Sequence, residues 1–356
     1  MAQSINEIAL EITPKQRFDV IDIKELIRQQ FGDFLDQYKK SYYCSFHTTA
    51  GYFEQSLCSR LKHSKEHLTP FISAFQNIFP SGANYRHDQI QLRTELSESE
   101  KRNEPKNADS HLIYMSSGLK NCVKYENKPD LPVYFVDLDG VNGNGSRARK
   151  TTILGFDKEE TVHQTQIAVP VSKHPVDSVN LKTVRSGFFD ELNEKLRSLD
   201  VRKGMVDICL APDEMNSSLI VNEYETLLMR HDLAEVLKNP FQFMAQQGKH
   251  MLLNPAAIPN KTINYAKYDL VQVFNELMDA LKISESVVEK ILAAIFRMPA
   301  SRFFRMKRRI SLFVSDHEQP GVGQIILGKY QSPILVQWAN ARNQTRQINV
   351  RIRKFK

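Results

Sequence analysis

Three histidines in the first half of the chain lie beside small polar residues that can help them hold a ligand. They are His47 in the run HTTAG, His87 in the run YRHD and His111 in the run NADSHL. An imidazole can bind a divalent metal, bind an anion, or transfer a proton near its ordinary pKa of about 6.5. We predict that the three rings meet around one cavity and act there on a ligand.

The kind of chemistry stays open at this level. Three histidine ligands with an open fourth position suit a catalytic zinc-type site. The spacing of His47, His87 and His111 is not a compact motif such as His-Glu-x-x-His, so a divalent metal such as zinc is one alternative among several. A lone histidine is more often an ordinary core or surface residue. The joint presence of three in one half of the chain favours a site.

Several donors near these histidines can bind an anionic substrate: Thr48, Thr49, Asn107, Ser110, Arg147 and Arg149. The two arginines can engage a phosphate through paired N–H groups. If Arg147 and Arg149 alternate along one strand, they share a face, and exposure to solvent is then the simpler account of both. Asp88, next to His87, either orients the imidazole and fixes its tautomer or is a turn residue.

The composition is that of a globular protein. The chain has 356 residues, of which 41% are hydrophobic and 25% are charged, enough material for two cores. No apolar stretch approaches the roughly 20 residues that a membrane helix needs, and the first residues do not resemble a signal peptide. We expect no membrane partner and a cytoplasmic location. The four cysteines are far apart in sequence, which favours free buried thiols over disulfides.

The excess of positive charge is concentrated late in the chain. The formal charge is +7, and basic runs occupy residues 305–309 and 346–356. Such runs can bind an anionic partner, but a solvated protein face explains them equally well. No recognisable nucleic-acid module with interleaved aromatic residues contains them. We do not expect nucleic acid as a partner.

The two halves share one order of predicted elements. In the first half, helical spacing over residues 23–31 precedes a β-rich run at 41–46, which ends at the polar HTTAG. In the second half, an amphipathic stretch at 187–196 precedes a β-rich run at 205–210, which ends at the polar EMNSS. A repeat of this length predicts two diverged copies of one module.

Each half also closes with two alternating runs around a polar turn, which is typical of a hairpin. The predicted hairpins are residues 133–140 with 146–154, and 334–340 with 345–352. The boundary between the copies falls in a Pro- and Ser-containing segment near residue 175. This gives modules of residues 1–175 and 176–356.

The middles of the two halves differ. The run SESEKRNEPK at residues 97–106 has too little apolar content to pack, so we predict a flexible surface loop there. Between Tyr268 and Arg297, apolar residues recur at helical spacing. This predicts one or two helices packed on a core.

Four stretches of the first half, in order, resemble one family: HTTAG at 47–51, Pro80 with YRHD at 85–88, NADSHL at 107–112, and Asp139-Gly140 with Arg147 and Arg149. The family is the YjbQ family of small proteins, some of which are described as secondary thiamine-phosphate synthases. The resemblance implies a compact α+β fold with antiparallel sheet, and a homotrimer. It also suggests a thiamine-phosphate synthase-like transferase activity.

The second half is similar to the same family through NEY at 222–224 and LGKYQ at 327–331. The first half departs from the family at both places, with QS at 55–56 and KPDL at 128–131. Conversely, the second half has other residues where the first has its histidines: Glu214 for His47, Tyr268 for His87 and Arg302 for His111. Each copy thus keeps what the other lacks.

These complementary losses predict a composite site. Histidines of the first copy would face Glu223 and Gln331 of the second, within one chain or across an oligomer interface. Glu223 is then expected to act in catalysis and Gln331 in substrate binding. The alternative is that the second copy is only a scaffold.

The sequence therefore predicts an α+β protein of two tandem YjbQ-like modules with antiparallel sheets and packed helices. Its expected function is that of an enzyme acting on a small, phosphorylated molecule, with acid/base or metal-assisted chemistry at His47, His87, His111 and Glu223. The alternative is a non-catalytic protein that binds a metal or an anion, or a subunit of a larger assembly. The expected partners are the small ligand and further copies of the chain in a homo-oligomer.

Overall fold

The computed structural model describes residues 7–94, 96–143, 145–183, 187–225, 228–238 and 307–356. They belong to two compact units. The first takes its residues from Met1–Ser64, Leu119–Tyr224 and Lys307–Lys356, and the second from Lys65–Gly118 and Glu225–Met306. These units follow proximity in space, whereas the predicted modules follow a sequence repeat. The module boundary near residue 175 stays a prediction.

Two larger antiparallel sheets belong to the first unit. One contains β1 (Glu7–Ile12), β3 (Lys40–Ser45), β5 (Cys122–Glu126) and β9 (Arg149–Phe156), in the order β1-β9-β3-β5. The other contains β10 (Glu159–Pro170), β12 (Gly204–Leu210), β14 (Arg309–Ser315), β15 (Gln324–Ile326) and β17 (Thr345–Phe355), in the order β10-β17-β12-β14-β15.

Three smaller sheets complete the strands of this unit. One contains β2 (Asp19–Asp22), β4 (Ala50–Tyr52) and β6 (Tyr134–Asp137), in the order β2-β6-β4. A second contains β11 (Asp177–Asn180), β13 (Ser217–Asn222) and β16 (Ser332–Gln337), in the order β11-β16-β13. The third is the short hairpin of β7 (Val141–Asn142) and β8 (Gly145–Ser146).

The two larger sheets share a hydrophobic core. Its buried members come from both of them: Tyr42, Cys44, Cys122, Leu154 and Phe156 from one, and Met205, Phe313 and Phe355 from the other. Five of the six residues of β3 are buried, because its other face is also covered. Strands buried on both faces read as continuous apolar runs rather than as alternating ones.

The helices of the first unit are α1 (Ile23–Phe31), α2 (Gln55–Arg60) and α6 (Phe188–Ser198). The carboxylate of Asp22 accepts the first free N–H groups of α1, and the helix ends at Gly32, whose φ of 59° is left-handed. Ile23 and Ile27, one turn apart, are buried. The helix predicted over residues 23–31 is confirmed, and so is the helical stretch predicted at 187–196.

The second unit is helical within the described residues. Its α-helices are α3 (Lys65–Ile78), α4 (Glu98–Asn103), α5 (Ala108–Ser116) and α7 (Leu233–Lys238). A π-helix over Leu228–Asp232 leads directly into α7. All nine residues of α5 are buried, so polar side chains on this helix face the interior of the unit.

Both predicted hairpins are wrong. Strands form in each run, but β6 pairs with β2 and β4, whereas β9 pairs with β1 and β3. In the same way, β16 pairs with β11 and β13, whereas β17 pairs with β10 and β12. The chain leaves one sheet and enters another between the two strands. Alternation shows which face of a strand is buried but does not identify its partner strand.

The prediction of a flexible loop at residues 97–106 is also wrong, because this segment contains α4. Ser97 accepts the N–H of Glu100 through its hydroxyl at 3.3 Å, and the Glu100 carboxylate accepts the N–H of Ser97 at 2.9 Å. Lys101 and Glu98 form an ion pair at 2.9 Å. No residue of α4 is buried. A capping box and charge pairing, rather than apolar packing, therefore define this helix.

Cys44, Cys58 and Cys122 are free and buried, as predicted, and Cys209 is free and half-buried. Within the residues described, no helix is long and apolar enough to span a membrane. The helices predicted between Tyr268 and Arg297 lie outside the described residues.

Candidate functional site

His87 and His111 lie in contact inside the second unit. Their ring centroids are 5.2 Å apart, and the ring planes are tilted by 53°. The side chains are 0% and 1% exposed. His111 projects from the buried helix α5, whereas His87 lies in the loop that follows Tyr85, whose hydroxyl donates to the carbonyl of Pro80 at 3.0 Å. Two of the three predicted histidines are therefore neighbours.

Asp88 ties the His87 loop to the helix that carries His111. Its Oδ1 lies 3.0 Å from Nδ1 of His87 and accepts the N–H of Ala108, the first residue of α5, also at 3.0 Å. The positive end of the helix dipole further favours a carboxylate at this place. Asp88 therefore has the orienting geometry that the sequence suggested.

The other nitrogen of His87 has no hydrogen-bond partner among the described residues. This atom is Nε2, and it is buried. Because a carboxylate accepts from Nδ1, the neutral ring keeps a lone pair on Nε2. Burial lowers the pKa of His87, but the hydrogen bond to Asp88 and the charges of Asp88 and Glu225 together outweigh burial and the charge of Arg93, so the pKa lies above its ordinary value. The ring can exchange a proton through Nε2.

Asp232 fixes the backbone of the His87 loop. Its Oδ1 accepts the N–H of Arg86 at 3.0 Å, and its Oδ2 accepts the N–H of His87 at 2.9 Å. Asp232 is 3% exposed and ends the π-helix. Burial raises its pKa, although the two N–H donors act in the opposite direction. The second half of the sequence thus contributes directly to the surroundings of His87.

A buried arginine lies near two carboxylates in this unit. Arg93 is 1% exposed, and its Nη1 donates to Oε1 of Glu104 at 2.6 Å. Its Nε lies 4.0 Å from Oε1 of Glu225, which is also buried. The charge of Arg93 opposes protonation of His87. The sequence predicted none of these charged residues, because Arg93, Glu225 and Asp232 belong to no recognisable motif. Their positions in the folded chain identify them.

His47 lies in the first unit, and its role there is different. Its Nε2 accepts the backbone N–H of Lys150 at 2.8 Å, so the neutral ring carries its proton on Nδ1. Burial, together with the charges of Arg149 and Arg147, lowers its pKa to about 3. The ring is therefore neutral at pH 7 and offers an N–H donor instead of a base. Its convergence with His87 and His111 stays a prediction.

The solvent exposure expected for Arg149 is wrong. The side chain is 2% exposed, and its Nε and Nη2 donate to the two carboxylate oxygens of Asp137 at 2.6 and 2.8 Å. It also donates to the carbonyl of Asp139 at 2.8 Å and to the hydroxyl of Thr49 at 3.4 Å. Arg147 precedes β9, is 35% exposed and pairs with the Asp139 carboxylate. The two arginines therefore do not share one solvent face.

Glu214 occupies a matching place in the second half. Its Oε1 accepts the N–H of Gln347 at 2.6 Å, and its Oε2 accepts from Arg346 at 2.9 Å. Arg346 also donates to Oε1 of Gln337 at 3.2 Å. Glutamate thus fills the acceptor role that His47 has in the first half. The residues at the other two replaced positions, Tyr268 and Arg302, lie outside the described residues.

The small polar candidates divide between the units. Asn107 and Ser110 are 4% and 1% exposed, and the carbonyl of Asn107 accepts the N–H of His111 at 3.2 Å. Their burial means that they can contact only a ligand inside the second unit. Thr48 is half-buried beside His47 in the first unit.

Several solved structures match the chain. A protein described as YbjQ-like and of unknown function, from Sulfolobus solfataricus P2, is 15% identical, with 55% of this chain and 99% of that chain covered and a TM-score of 0.29. A hypothetical protein from Aeropyrum pernix K1 is 12% identical, with 54% and 98% covered and a TM-score of 0.27. An uncharacterized conserved protein of the YjbQ family from Clostridium acetobutylicum is 11% identical, with 53% and 98% covered and a TM-score of 0.26. The chain is similar to YjbQ-like proteins over about half of its length. No family model and no curated protein matches it.

Gln331 contacts the backbone of His47 within the first unit. Its Nε2 donates to the carbonyls of Ser45 and His47, both at 2.9 Å, and its Oε1 accepts the N–H of Gly328 at 3.1 Å. Gly328 approaches Phe46 so closely that a Cβ would lie 1.9 Å from the Phe46 carbonyl oxygen. The amide of Gln331 therefore anchors the loop that carries His47. A role for it toward a substrate stays a prediction.

The metal assignment to His47, His87 and His111 also stays a prediction. In the described ranges, no three or more His, Cys, Asp or Glu side chains are grouped as they would be around a metal ion. The Lys150 N–H occupies Nε2 of His47, which leaves only Nδ1 for a metal. Glu223 is half-buried, its N–H donates to Oδ1 of Asn222 at 2.7 Å, and its catalytic role is untested.

Proposed function

We propose that the chain consists of two tandem copies of one YjbQ-like module, residues 1–175 and 176–356. The strand orders support this. The order β1-β9-β3-β5 in the first half parallels β10-β17-β12-β14 in the second, and β2-β6-β4 parallels β11-β16-β13. Unrelated segments have no physical reason to repeat two sheets in the same order.

Equivalent hydrogen bonds support the same proposal. The N–H of Leu138 donates to the carbonyl of Thr49, and the N–H of Trp338 donates to the carbonyl of Asn216, both at 3.0 Å. Thr49 precedes β4 and Asn216 precedes β13, while Leu138 follows β6 and Trp338 follows β16. The same contact therefore closes the corresponding small sheet in each half.

We propose further that the chain is an enzyme that acts on a small, phosphorylated molecule by proton transfer at His87 and His111. The observation that carries this proposal is the buried Nε2 of His87, beside His111, in a ring that Asp88 orients. A titratable group with a perturbed pKa and an open, buried nitrogen is typical of an acid/base residue. A merely structural histidine would be expected to use both nitrogens.

The donors named from the sequence are assigned to the anionic part of the substrate. Asn107 and Ser110 are buried, and both are close to His111 in the sequence. A guanidinium has five N–H donors, so Arg147 can hold Asp139 and still bind a phosphate. The formation of thiamine phosphate is the reaction that the family resemblance suggests.

The test compares His87→Gln and His111→Gln with His174→Gln, whose side chain is exposed. Each protein is assayed for thiamine-phosphate formation and, by calorimetry, for binding of inorganic phosphate. We expect the first two variants to lose roughly 10² to 10⁴ of turnover, as is usual for a general acid or base, while the control keeps it. Turnover that survives in both variants would overturn the catalytic assignment.

The non-catalytic alternative gives a different pattern. It predicts no turnover in the wild type but phosphate or metal binding that both histidine variants lose. Elemental analysis of the wild type and of a variant with His47, His87 and His111 all replaced measures the metal directly. Metal that disappears in the variant would support the zinc-type assignment.

The variant Glu223→Ala tests whether the site is composite. If Glu223 acts with the histidines, Glu223→Ala reduces the same turnover or binding as His111→Gln. A Glu223→Ala protein with unchanged function would leave the second module as a scaffold. Circular dichroism of each variant separates a lost function from a lost fold.

A further inference from the structure

Cys44 and Cys122 lie far apart in the sequence but directly opposite each other in the first unit. Cys44 belongs to β3 and Cys122 to β5, and the two are partners in the antiparallel register of these strands. Side chains of partner residues project from the same face of a sheet. Both residues accordingly belong to one hydrophobic core, with exposures of 0% and 4%. The fold therefore brings together two cysteines that no sequence motif joins.

The hydrogen bonds of the ladder show which kind of pair the cysteines form. The N–H of Ser45 donates to the carbonyl of Asn121 at 2.7 Å, so these two residues are a hydrogen-bonded pair. The next pair, Cys44 with Cys122, is then a non-hydrogen-bonded one, because the two kinds alternate along an antiparallel ladder. Its Cα atoms are about 4.5 Å apart in such a pair. A disulfide spans Cα separations of roughly 4.4–6.8 Å, so the two strands can accept the bond where they lie.

The two thiols differ in their surroundings. Nδ2 of Asn121 donates to Sγ of Cys122 at 3.3 Å, and this donor can stabilise negative charge that develops on the sulfur. Cys122 is also the first residue of β5 and keeps a slight exposure, which gives a molecule as small as hydrogen peroxide the shorter path to it. Cys44 is completely buried, and burial raises the pKa of its thiol. Cys122 is therefore suited to react first, and Cys44 to react with the product.

We propose that Cys44 and Cys122 are a redox pair that hydrogen peroxide converts into a cross-strand disulfide. The thiolate of Cys122 attacks one peroxide oxygen, the O–O bond breaks and hydroxide leaves, so the sulfur becomes a sulfenic acid. The sulfur of Cys44 then attacks the sulfur of Cys122, the S–O bond breaks, and the proton of the Cys44 thiol leaves with the hydroxyl as water. The two thiols together lose two electrons and two protons, and one peroxide becomes two molecules of water.

The bond closes a covalent loop around the segment that carries the proposed site. Residues 45–121 lie between the two cysteines and include His47, His87 and His111. A crosslink restricts the unfolded chain more than the folded one, so we expect the oxidised protein to resist unfolding more strongly. The redox pair lies apart from the histidine chemistry and does not depend on it.

The other two cysteines serve as controls. Cys58 matches the pair in burial, being 2% exposed, but it lies in helix α2 and has no partner across a ladder. Its Sγ is 3.1 Å from the hydroxyl of Tyr125. Cys209 lies in β12, where its ladder partners are Arg309 and Asn349. Neither cysteine has a thiol opposite it in a sheet, so neither should form a bond within the folded chain.

The test treats the full folded chain with hydrogen peroxide and maps its peptides by mass spectrometry without reduction. We expect a crosslinked pair of peptides that joins Cys44 to Cys122, and no crosslink that contains Cys58 or Cys209. Circular dichroism before and after treatment checks that the chain stays folded. The proposal is refuted if the folded chain forms no bond between Cys44 and Cys122, or forms it only after unfolding in urea.

Two variants test the order of the reaction. Cys44→Ala leaves Cys122 without a thiol to react with, so its sulfenic acid should persist and be trapped by dimedone. Cys122→Ala removes the thiol that reacts first, so trapping at Cys44 should be several-fold weaker. Equal trapping in the two variants contradicts the assignment of Cys122 as the first to react.

Urea unfolding of the wild type measures the effect of the bond. The peroxide-treated chain should unfold at a higher urea concentration than the reduced chain, and dithiothreitol should reverse the shift. The peptide map and this measurement both use the wild type, so they remain decisive even if a cysteine variant does not fold. A midpoint that oxidation leaves unmoved shows that the bond does not restrain the chain.

Discussion

The imidazole of His47 accepts the backbone N–H of Lys150 at 2.8 Å, immediately after the buried Arg149. In the second half, the carboxylate of Glu214 accepts the N–H of Gln347 at 2.6 Å. A histidine and a glutamate therefore make the same contact at matching places. The side chain at this position anchors the start of a long strand, whatever further chemistry it performs.

This relationship predicts how substitutions at His47 affect stability. His47→Gln keeps an acceptor and should unfold in urea close to the wild type. His47→Ala leaves the N–H of Lys150 without its acceptor and should lower the free energy of unfolding by about 1 kcal/mol. His174→Ala, at an exposed position, is the control and should have no effect. Equal losses for Gln and Ala would show that the accepted hydrogen bond is not what matters at His47.

The pKa of His47 should lie below that of an ordinary histidine, and the pKa of His87 should lie above it. Burial and the neighbouring arginines hold the pKa of His47 at about 3, whereas Asp88 and Glu225 raise the pKa of His87 above its usual value against the effect of burial. In NMR titrations, the His47 ring should not change between about pH 5 and 8, and the His87 ring should titrate within or above that range. Asp88→Asn should lower the pKa of His87. A His47 ring that titrates near 6.5 would contradict the assignment.

The same shifts fix the pH dependence of stability. The unfolded chain protonates His47 below about 6.5 and the folded chain only near 3, so this contribution is present above 6.5 and is lost as the pH falls toward 3. For His87 the folded pKa is the higher one, so its contribution is present below the unfolded value and is lost as the pH rises through the folded value. His47→Gln should flatten the acid side of the profile alone.

Local sequence patterns predicted where helices and strands form better than they predicted which strands pair. Helix α1 follows from Ile23 and Ile27 one turn apart and from the Asp22 cap, all within a few residues. The partners of β6 and β9 depend on contacts between residues far apart in sequence, which no local pattern records. Helix α4 has a local signal in its sequence, the Ser97 and Glu100 capping box, but it lacks the apolar periodicity by which a packed helix is identified.

The candidate site shows the same division. The motifs around His87 and His111 predicted residues that do meet. Asp232 and Arg93 could not be found this way, because a buried charge is identified by its partners and not by its neighbours in sequence. Arg149 was expected at the surface because alternation was assumed for β9. Seven of its eight residues are buried, so the strand has no solvent face to assign.

The buried pair of Asp137 and Arg149 should be sensitive to loss of one partner. Asp137 is 0% exposed and accepts both Arg149 donors. Asp137→Ala leaves a buried guanidinium uncompensated and should lower the free energy of unfolding in urea by about 3–5 kcal/mol. The double variant Asp137→Ala/Arg149→Met should recover much of this loss. A double variant as unstable as Asp137→Ala would mean that the unpaired charge is not the cause.

An exposed pair is the natural control for that experiment. Arg202 and Asp200 form an ion pair at 2.9 Å, but both side chains are more than half exposed. Solvent screens such a pair and its side chains lose conformational freedom in forming it. Arg202→Ala should therefore leave the urea midpoint unchanged.

Asp232 should be needed to hold His87 in place. Its two carboxylate oxygens accept the N–H groups of Arg86 and His87, and it is buried at the end of a π-helix. Asp232→Leu leaves two buried donors without acceptors and should lower the free energy of unfolding by about 1–3 kcal/mol. Asp232→Asn keeps one acceptor oxygen and should fall between Leu and the wild type, with the His87 ring resonances shifted in both variants. Glu235→Gln, at an exposed position of α7, should change neither the urea midpoint nor those resonances. If Asp232→Leu matches this control in both measurements, the His87 loop is held by other contacts, and Asp232 has no part in positioning the ring.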